Sequence, residues 1–408
     1  MVACIFLLFA GWGAYVGIRN FRGIAPAILN PPEDIAGLIE EKSGKDPLNM
    51  TGFPLRLPER FSMSVFARDL DAPRVLVRDP NGVMLASVPS KGRIVALPDR
   101  DSDGAADEVE PVLDGLERPH GMAFRCGESC SFFVAEEGSV SEYDYDANML
   151  KAVNRRKLVD LPDDGGHFTR TLLFLPYPNE DILLISVGSS CNVCAEKDER
   201  RAKILAYDLN SGSLAPYASG LRNSVFMTIH PVTGSVFATE MGRDWLGDDL
   251  PPDEINIIRD GQNYGWPFCF GKRIIDEDFR GTVRFAPPDS ACDRTEPSAI
   301  DLPAHSAPLG LSFIPEEGWP EEYWHDLLVA YHGSWNRSAP TGYKIARFKF
   351  DGAGNFESQE DFISGWLVPG GALGRPVDIM TEPGGVMYVS DDKAGVIYRI
   401  FYRPDMDI

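Results

Sequence analysis

Positive charge is what this sequence has least of. Its 408 residues carry 39 Lys and Arg against 61 Asp and Glu, a formal net charge of −22. Such a surface repels a phosphate backbone, which excludes nucleic acid as a partner. It favours solubility and draws cations. Long hydrophobic runs are almost absent too. The exception is 1–18, uncharged and mostly apolar, with Arg19 and Arg22 just after it. That length is borderline for a membrane span and suits the apolar core of a signal segment. No basic stretch precedes it and no A-x-A cleavage pattern follows. The arginines also lie on the wrong side for an exported C-terminal domain. We expect export, to the periplasm or the outer side of an inner membrane, with the segment kept as a membrane anchor in preference to cleavage.

Cysteine is sparse but patterned. Setting Cys4 aside, six remain in local groups: Cys126 with Cys130, Cys191 with Cys194, and Cys269 with Cys292. An even set in an exported chain implies three disulfides. Ala195 follows Cys194 where covalent haem attachment needs His. No thioredoxin-like βαβ pattern surrounds the CxxC. The groups lie far apart in sequence for a four-cysteine zinc site.

Long helical periodicity is also missing, which excludes a helical bundle. In its place one pattern recurs six times, at 75–87, 122–135, 172–187, 225–239, 311–330 and 377–390. Each unit is an apolar run, a turn rich in Pro, Gly or Asn, and a strand ending in small or polar residues. Period-two alternation punctuated by such turns marks strands. Six units predict an all-β, six-bladed β-propeller over 57–408. The run 61–67 is expected to pair with the last unit and close the ring. An insertion at about 268–304 is expected between the fourth and fifth units. Residues 19–56 read as a Pro-rich linker with a short helix near 32–45.

Just before each repeat stands a polar residue able to do chemistry. These are Arg74, His120, His167 with Arg170, Arg222 with Asn223, His305 and Arg375. The first strand of a propeller blade is innermost, and the loop leading into it rims the channel. Equivalent positions therefore converge, and predict a cationic pocket inside an anionic protein. Arginine forks there suit a carboxylated or phosphorylated ligand.

Two stretches suggest calcium. Glu240, Asp244, Asp248, Asp249, Asp253 and Glu254 crowd one hairpin region. Carboxylates so close repel one another unless a cation sits among them, and hard oxygen ligands on a loop suit Ca2+. The bland alternative is a solvated acidic tip. The second stretch runs Asp99, Asp101, Asp103, Gly104, Asp107 and Glu110. It copies the spacing of an EF-hand loop without flanking helices, and predicts a structural calcium.

The acidic hairpin continues into Asp253-Glu254-Ile255-Asn256, then Gly261-Gln262-Asn263-Tyr264-Gly265-Trp266-Pro267. This run resembles the signature of the quinoprotein glucose/sorbosone dehydrogenase family, and the likeness extends from about Arg74 to Tyr402. It implies a pyrroloquinoline quinone (PQQ) cofactor, calcium, a sugar substrate and an electron acceptor, either a quinone or a cytochrome. His167 is similar to the family's catalytic base. Arg222 and Asn223 resemble its cofactor-contacting pair. Gly242 and Arg243 fall where backbone carbonyls hold the active-site calcium, with Asp253 and Glu254 beside them. Arg337, in His332-Gly-Ser-Trp-Asn-Arg337, matches the basic residue over the quinone. Arg375 matches a carboxylate-binding arginine, and His120 and His305 are assigned to the cofactor with it. The run Tyr388-Val389-Ser390-Asp391-Asp392 resembles the sorbosone-type branch. One departure is clear: the aspartate that orients the base in soluble glucose dehydrogenases is replaced, in Val187-Gly188-Ser189-Ser190, by Ser189. The implied chemistry is proton abstraction by His167 from a sugar, with hydride transfer to the quinone. A calcium-dependent lactonase-like hydrolase and a non-catalytic binding propeller remain as alternatives on the same scaffold.

Overall fold

The computed structural model describes residues 48–404 except 128, 284–286 and 353. The apolar segment 1–18 and the helix expected near 32–45 lie outside the described residues. Among those described, no helix is long and apolar enough to cross a membrane.

Six four-stranded antiparallel sheets make up the fold. Blade one is Leu76–Arg78, Met84–Val88, Arg93–Leu97 and Glu110–Leu113. Blade two is Met122–Cys126, Cys130–Glu136, Ser139–Asp146 and Lys151–Asp160. Blade three is Leu172–Phe174, Ile182–Val187, Lys203–Asp208 and Ser213–Ser219. Blade four is Met227–Ile229, Val236–Glu240, Asp253–Ile258 and Ile300–Leu302. Blade five is Pro308–Phe313, Leu327–Tyr331, Lys344–Phe350 and Phe356–Ile363. Blade six joins Pro376–Glu382, Val386–Asp391 and Val396–Tyr402 to the early strand Phe61–Ala67.

The first strands of consecutive blades touch one another all the way round, so they form the inner wall. Phe61–Ala67 pairs antiparallel with Val396–Tyr402 and closes the ring, as the sequence predicts. This joint ties the two ends of the propeller together without a covalent bond. Between the blades the second and third strands supply the core. Leu85, Val134, Ile185, Ile255, Val329 and Val389 are all fully buried. Such burial is the main force holding neighbouring blades together.

Two boundaries differ from the expectation. The insertion lies inside blade four, between its third and fourth strands. It contains the hairpin Cys269–Phe270 with Ile274–Ile275, a helical turn Glu277–Arg280 and a 3-10 segment Asp289–Arg294. The three-residue strand that follows it is too short to carry a periodic signal, which displaced the reading. The supposed linker is also part of the fold by residue 49. Asn49 bridges Met63, Arg56 bridges Ser364, and Leu55 is 4% exposed within the core.

The three expected disulfides are formed: Cys126–Cys130, Cys191–Cys194 and Cys269–Cys292. Thiol titration of the unfolded, unreduced protein should therefore find Cys4 at most; a higher count contradicts the pairing.

Candidate active site

In an antiparallel blade, the end of the second strand lies beside the start of the first. Loops entering first strands and loops leaving second strands therefore share one mouth of the channel. There a cavity of about 210 Å³ is lined by His167, Arg222, Asn223, Met241, Gly242, Asp244, Asp253, His305, His332, Trp335 and Arg375, among others.

His167 stands on the loop entering blade three. Two buried arginines fasten that loop by its carbonyls. Arg170 donates to the carbonyls of Pro162, His167 and Thr169 at 2.7–2.9 Å, and Arg201 donates to those of Pro162 and Gly188 at 3.1 and 3.2 Å. His167 Nδ1 lies 2.8 Å from the Ser189 carbonyl and 3.1 Å from its Oγ. The Ser189 hydroxyl is committed as a donor to the Cys191 carbonyl at 2.7 Å. Nδ1 therefore carries the proton, and the lone pair sits on Nε2. A backbone carbonyl does here what an aspartate would do, which no side-chain motif reveals. Burial, with the Arg222 charge beside it, pushes the His167 pKa down to about 3. The imidazole is thus neutral at physiological pH, and a carboxylate neutralising Arg222 would raise its basicity.

Arg222 is 7% exposed and fully engaged on one side. Nε donates to the Asn192 carbonyl at 2.8 Å, Nη2 to Asn192 Oδ1 at 3.0 Å, and Nη1 to the Met241 carbonyl at 3.3 Å. Asp244 is its carboxylate partner at 3.4 Å. Two blades further round the same cavity, Arg375 Nε and Nη2 donate to the carbonyls of His332 and Gly333 at 2.9 and 2.8 Å. Nη1 makes neither bond. His332 Nε2 lies 2.8 Å from Asp392 Oδ1, and Arg74 reaches the other oxygen of Asp392 at 2.6 Å. Burial and the adjacent Arg375 push the His332 pKa down to about 4. His305 Nε2 is 2.8 Å from the Gly247 carbonyl, so its ring also pins the acidic loop.

The same geometry tests the cofactor and metal assignments. Two guanidinium groups in one cavity wall suit a polycarboxylate such as PQQ. Among the described residues, the adjacent carbonyls of Gly242 and Arg243 accept no hydrogen bond, so they fit a hard cation. Asp253 and Glu254 cannot both join them. As neighbours in a strand they point to opposite faces. Asp253 borders the cavity, and Glu254 a separate small void behind it. Both Asp253 oxygens already accept: Oδ1 from Gly242 N–H at 2.9 Å, Oδ2 from Ala307 N–H at 2.9 Å and the Ser306 hydroxyl at 3.1 Å. The Arg243 side chain leaves the cavity to pair with Asp276 at 2.9 Å.

Three other expectations place residues elsewhere. His120 is fully buried outside the cavity wall, its ring 5.5 Å from Phe226 and 6.2 Å from Phe168. A residue just before an inner strand can pack against the segments entering other blades without lining the cavity. Arg337 is also outside the wall; it donates to the carbonyls of Asp248 and Ala304 and pairs with Asp249 at 3.0 Å, clamping the acidic loop. In the second calcium stretch, Asp99, Asp101 and Asp103 do cluster. Asp107 instead accepts Arg100 N–H at 2.7 Å, and Glu110 pairs with the Arg100 guanidinium at 2.6 Å. The EF-hand-like set is therefore not completed.

Conversely, the sequence reading passed over His332, Trp335 and Met241 in the wall, and Asp392 behind it. All follow second strands, so strand order within each blade was the signal that could have found them.

A TrAA12-like family model matches residues 55–403. The chain belongs to the TrAA12-like family. Among curated proteins, this TrAA12-like chain is 38% identical over 227 residues to an uncharacterized protein of Borreliella burgdorferi, covering 54% of this chain and 57% of that protein. It is 26% identical over 336 residues to the pyrroloquinoline quinone-dependent pyranose dehydrogenase of Coprinopsis cinerea, covering 72% of this chain and 44% of that protein. The chain thus spans about half the length of the curated relatives it matches. In solved structures, the PQQ domain of the Coprinopsis cinerea pyranose dehydrogenase in its holo form superposes with a TM-score of 0.72 at 22% identity, covering 86% of this chain and 97% of that one. A PQQ-bound aldose sugar dehydrogenase from Streptomyces coelicolor gives 0.57 at 16% identity, covering 85% and 99%. At these identities the superpositions speak for the propeller fold alone.

Two expected results follow from the packing of this TrAA12-like site. A Cβ on Gly188 would sit 2.6 Å from Asn223 Oδ1 and 2.7 Å from His167 Cβ, so Gly188→Ala must displace one of them. We expect a loss of about 1–3 kcal/mol in stability, together with impaired turnover. Denaturant titration beside steady-state kinetics measures both, and wild-type turnover would show that His167 tolerates the shift.

The second concerns pH. Burial raises Glu240 to about 8 and Asp378 to about 7. Each binds its proton more tightly folded than unfolded, so stability falls as pH rises from the ordinary carboxyl range up to these values. His167 and His332 are depressed instead, so their contribution grows as pH rises to about 6.5. Up to about pH 6.5 the two trends oppose each other, and above it only the carboxyls act, so the melting temperature should fall between pH 6.5 and pH 8. A monotonic rise from pH 5 to 8 would contradict these environments.

Proposed function

We propose that this chain is a PQQ-dependent sugar dehydrogenase with His167 as general base. The observation that carries the reading is the His167 tautomer: Nδ1–H is given to the Ser189 carbonyl, which leaves Nε2 unprotonated beside two arginines in one cavity. The family and the PQQ-dependent relative support the cofactor assignment. Arg222 and Arg375 would hold the carboxylates of the quinone, and the Gly242 and Arg243 carbonyls would hold Ca2+. When bound, the quinone supplies the two-electron acceptor for the sugar C–H hydride. His167 Nε2 accepts the proton of the sugar hydroxyl, while Ser189 keeps the ring in place. Asn223 borders the same cavity. Trp335, 39% exposed at the mouth, offers an apolar face to a pyranose ring.

A sorbosone-type substrate is the finer reading, motivated by Ser189 standing in place of the aspartate. Three disulfides suit an exported protein. The electron acceptor would be a quinone or a cytochrome. A calcium-dependent hydrolase would need free carboxylates converging on the channel. Asp244 and Asp253 border the cavity, and Asp253 is already spent on N–H and O–H donors. Apoprotein supplied with PQQ and calcium should reduce an artificial dye with aldoses or sorbosone. Dye reduction that is the same without PQQ would refute the proposal.

A further inference from the structure

We infer that Asn192, inside the ring closed by Cys191–Cys194, is a positioning residue for Arg222 and Asp244. The two flanking cysteines are bonded three positions apart, so the segment between them is a closed loop with little freedom. From that loop Asn192 makes four polar contacts, two with Arg222 and two with Asp244. Its carbonyl and Oδ1 accept from Arg222 Nε and Nη2 at 2.8 and 3.0 Å. Oδ1 also accepts the Asp244 N–H at 2.8 Å, and Nδ2 donates to the Asp244 carbonyl at 3.1 Å. The Cys191 carbonyl that opens the loop also accepts the Ser189 hydroxyl at 2.7 Å, and Ser189 holds His167.

The consequence is a division of work. A guanidinium facing an anion has many rotamers, and fixing one beforehand lowers the entropic cost of binding. Nε and Nη2 of Arg222 are fixed by one residue, in the two-point fashion a carboxylate would use, but without its charge. Asp244 already partners Arg222 at 3.4 Å; a carboxylate at position 192 would add a second negative charge and weaken Arg222 toward an anionic ligand, whereas an amide orients it without adding charge. The same amide grips Asp244 through both its N–H and carbonyl, the strand-like pairing that sets the start of the acidic loop. The CxxC thus serves as a frame for binding groups, which accounts for a disulfide at the channel mouth without a thiol chemistry of its own.

The inference rests on the proposed function for the identity of the anion, and its test is arranged to separate the two. Asn192→Ala and the double variant Cys191→Ser/Cys194→Ser would be compared with wild type in full-length protein. Hydrogen exchange at the Asp244 amide needs no cofactor; it should speed up by about tenfold or more in Asn192→Ala, as expected for a lost buried hydrogen bond. The PQQ dissociation constant, read by fluorescence quenching, should rise about tenfold in the same variant, with the melting temperature close to wild type. The ring variant should move both readouts in the same direction by less. Unchanged exchange and unchanged affinity in Asn192→Ala would overturn the inference, and an unchanged ring variant would overturn the framing role of the disulfide. If wild-type protein takes up no quinone, the functional proposal falls, and the exchange comparison still decides the role of Asn192.

Discussion

His167→Ala is expected to keep PQQ and calcium binding and lose turnover by about 10²–10⁴-fold, the usual cost of removing a general base. The proposed binding groups, Arg222, Arg375 and the loop carbonyls, hang from other loops, and both arginines keep their own partners. The substitution therefore separates binding from proton removal. Ser189 in place of the orienting aspartate would, by side chains alone, leave the base poorly held. The structure argues otherwise. The stronger contact, 2.8 Å, is to the Ser189 backbone carbonyl, and a side-chain change does not remove it. Ser189→Ala should consequently cost little turnover, while His167→Ala costs most of it. Stopped-flow reduction of the quinone by an active sugar measures both. His167→Ala reducing the quinone at the wild-type rate would exclude His167 as the base.

The largest expected effect on stability is at Trp366. It is fully buried in the core between blades five and six, with Nε1 3.2 Å from the Tyr398 hydroxyl and its ring 5.8 Å from that of Tyr398. Its carbonyl accepts Leu373 N–H at 2.8 Å, closing the loop that leads to Arg375. Trp366→Ala removes the ring and leaves a cavity, at a cost of about 3–5 kcal/mol. Typical domains hold only about 5–15 kcal/mol in reserve. Urea unfolding should show that loss, and the loosened loop should weaken cofactor binding through Arg375. A loss under about 1 kcal/mol would mean that the core collapses around the gap.

Much of the fold was legible because the propeller repeats it six times. Apolar alternation, turn residues and the closing strand 61–67 all point the same way, and each repeat checks the others. The blade-four insertion was misplaced because Ile300–Leu302 is three residues long, and nothing local distinguishes it from loop. The convergence on one cavity was legible where chemistry and position coincided, as at His167, Arg222, His305 and Arg375. It failed at His120, which precedes a strand as expected but is buried against Phe168 and Phe226 and does not border the cavity. It failed again at His332 and Trp335, which lie in a run noticed only for Arg337. Backbone groups were beyond reach altogether. The Ser189 carbonyl that orients His167 and the Asn192 carbonyl that grips Arg222 are present in any residue, and only the fold gives them a role.

The central claim is that this cavity oxidises a sugar through PQQ with His167 taking the proton. Anaerobic single-turnover spectroscopy tests it most directly. Apoprotein is loaded with one equivalent of PQQ and excess calcium, mixed with an aldose or sorbosone, and the quinone absorbance followed with no other acceptor present. The account predicts stoichiometric conversion to the reduced quinone in wild type, and conversion slowed by two or more orders of magnitude with undiminished loading in His167→Ala. Quinone that binds but stays oxidised with every sugar, or is reduced equally fast in both proteins, would contradict it.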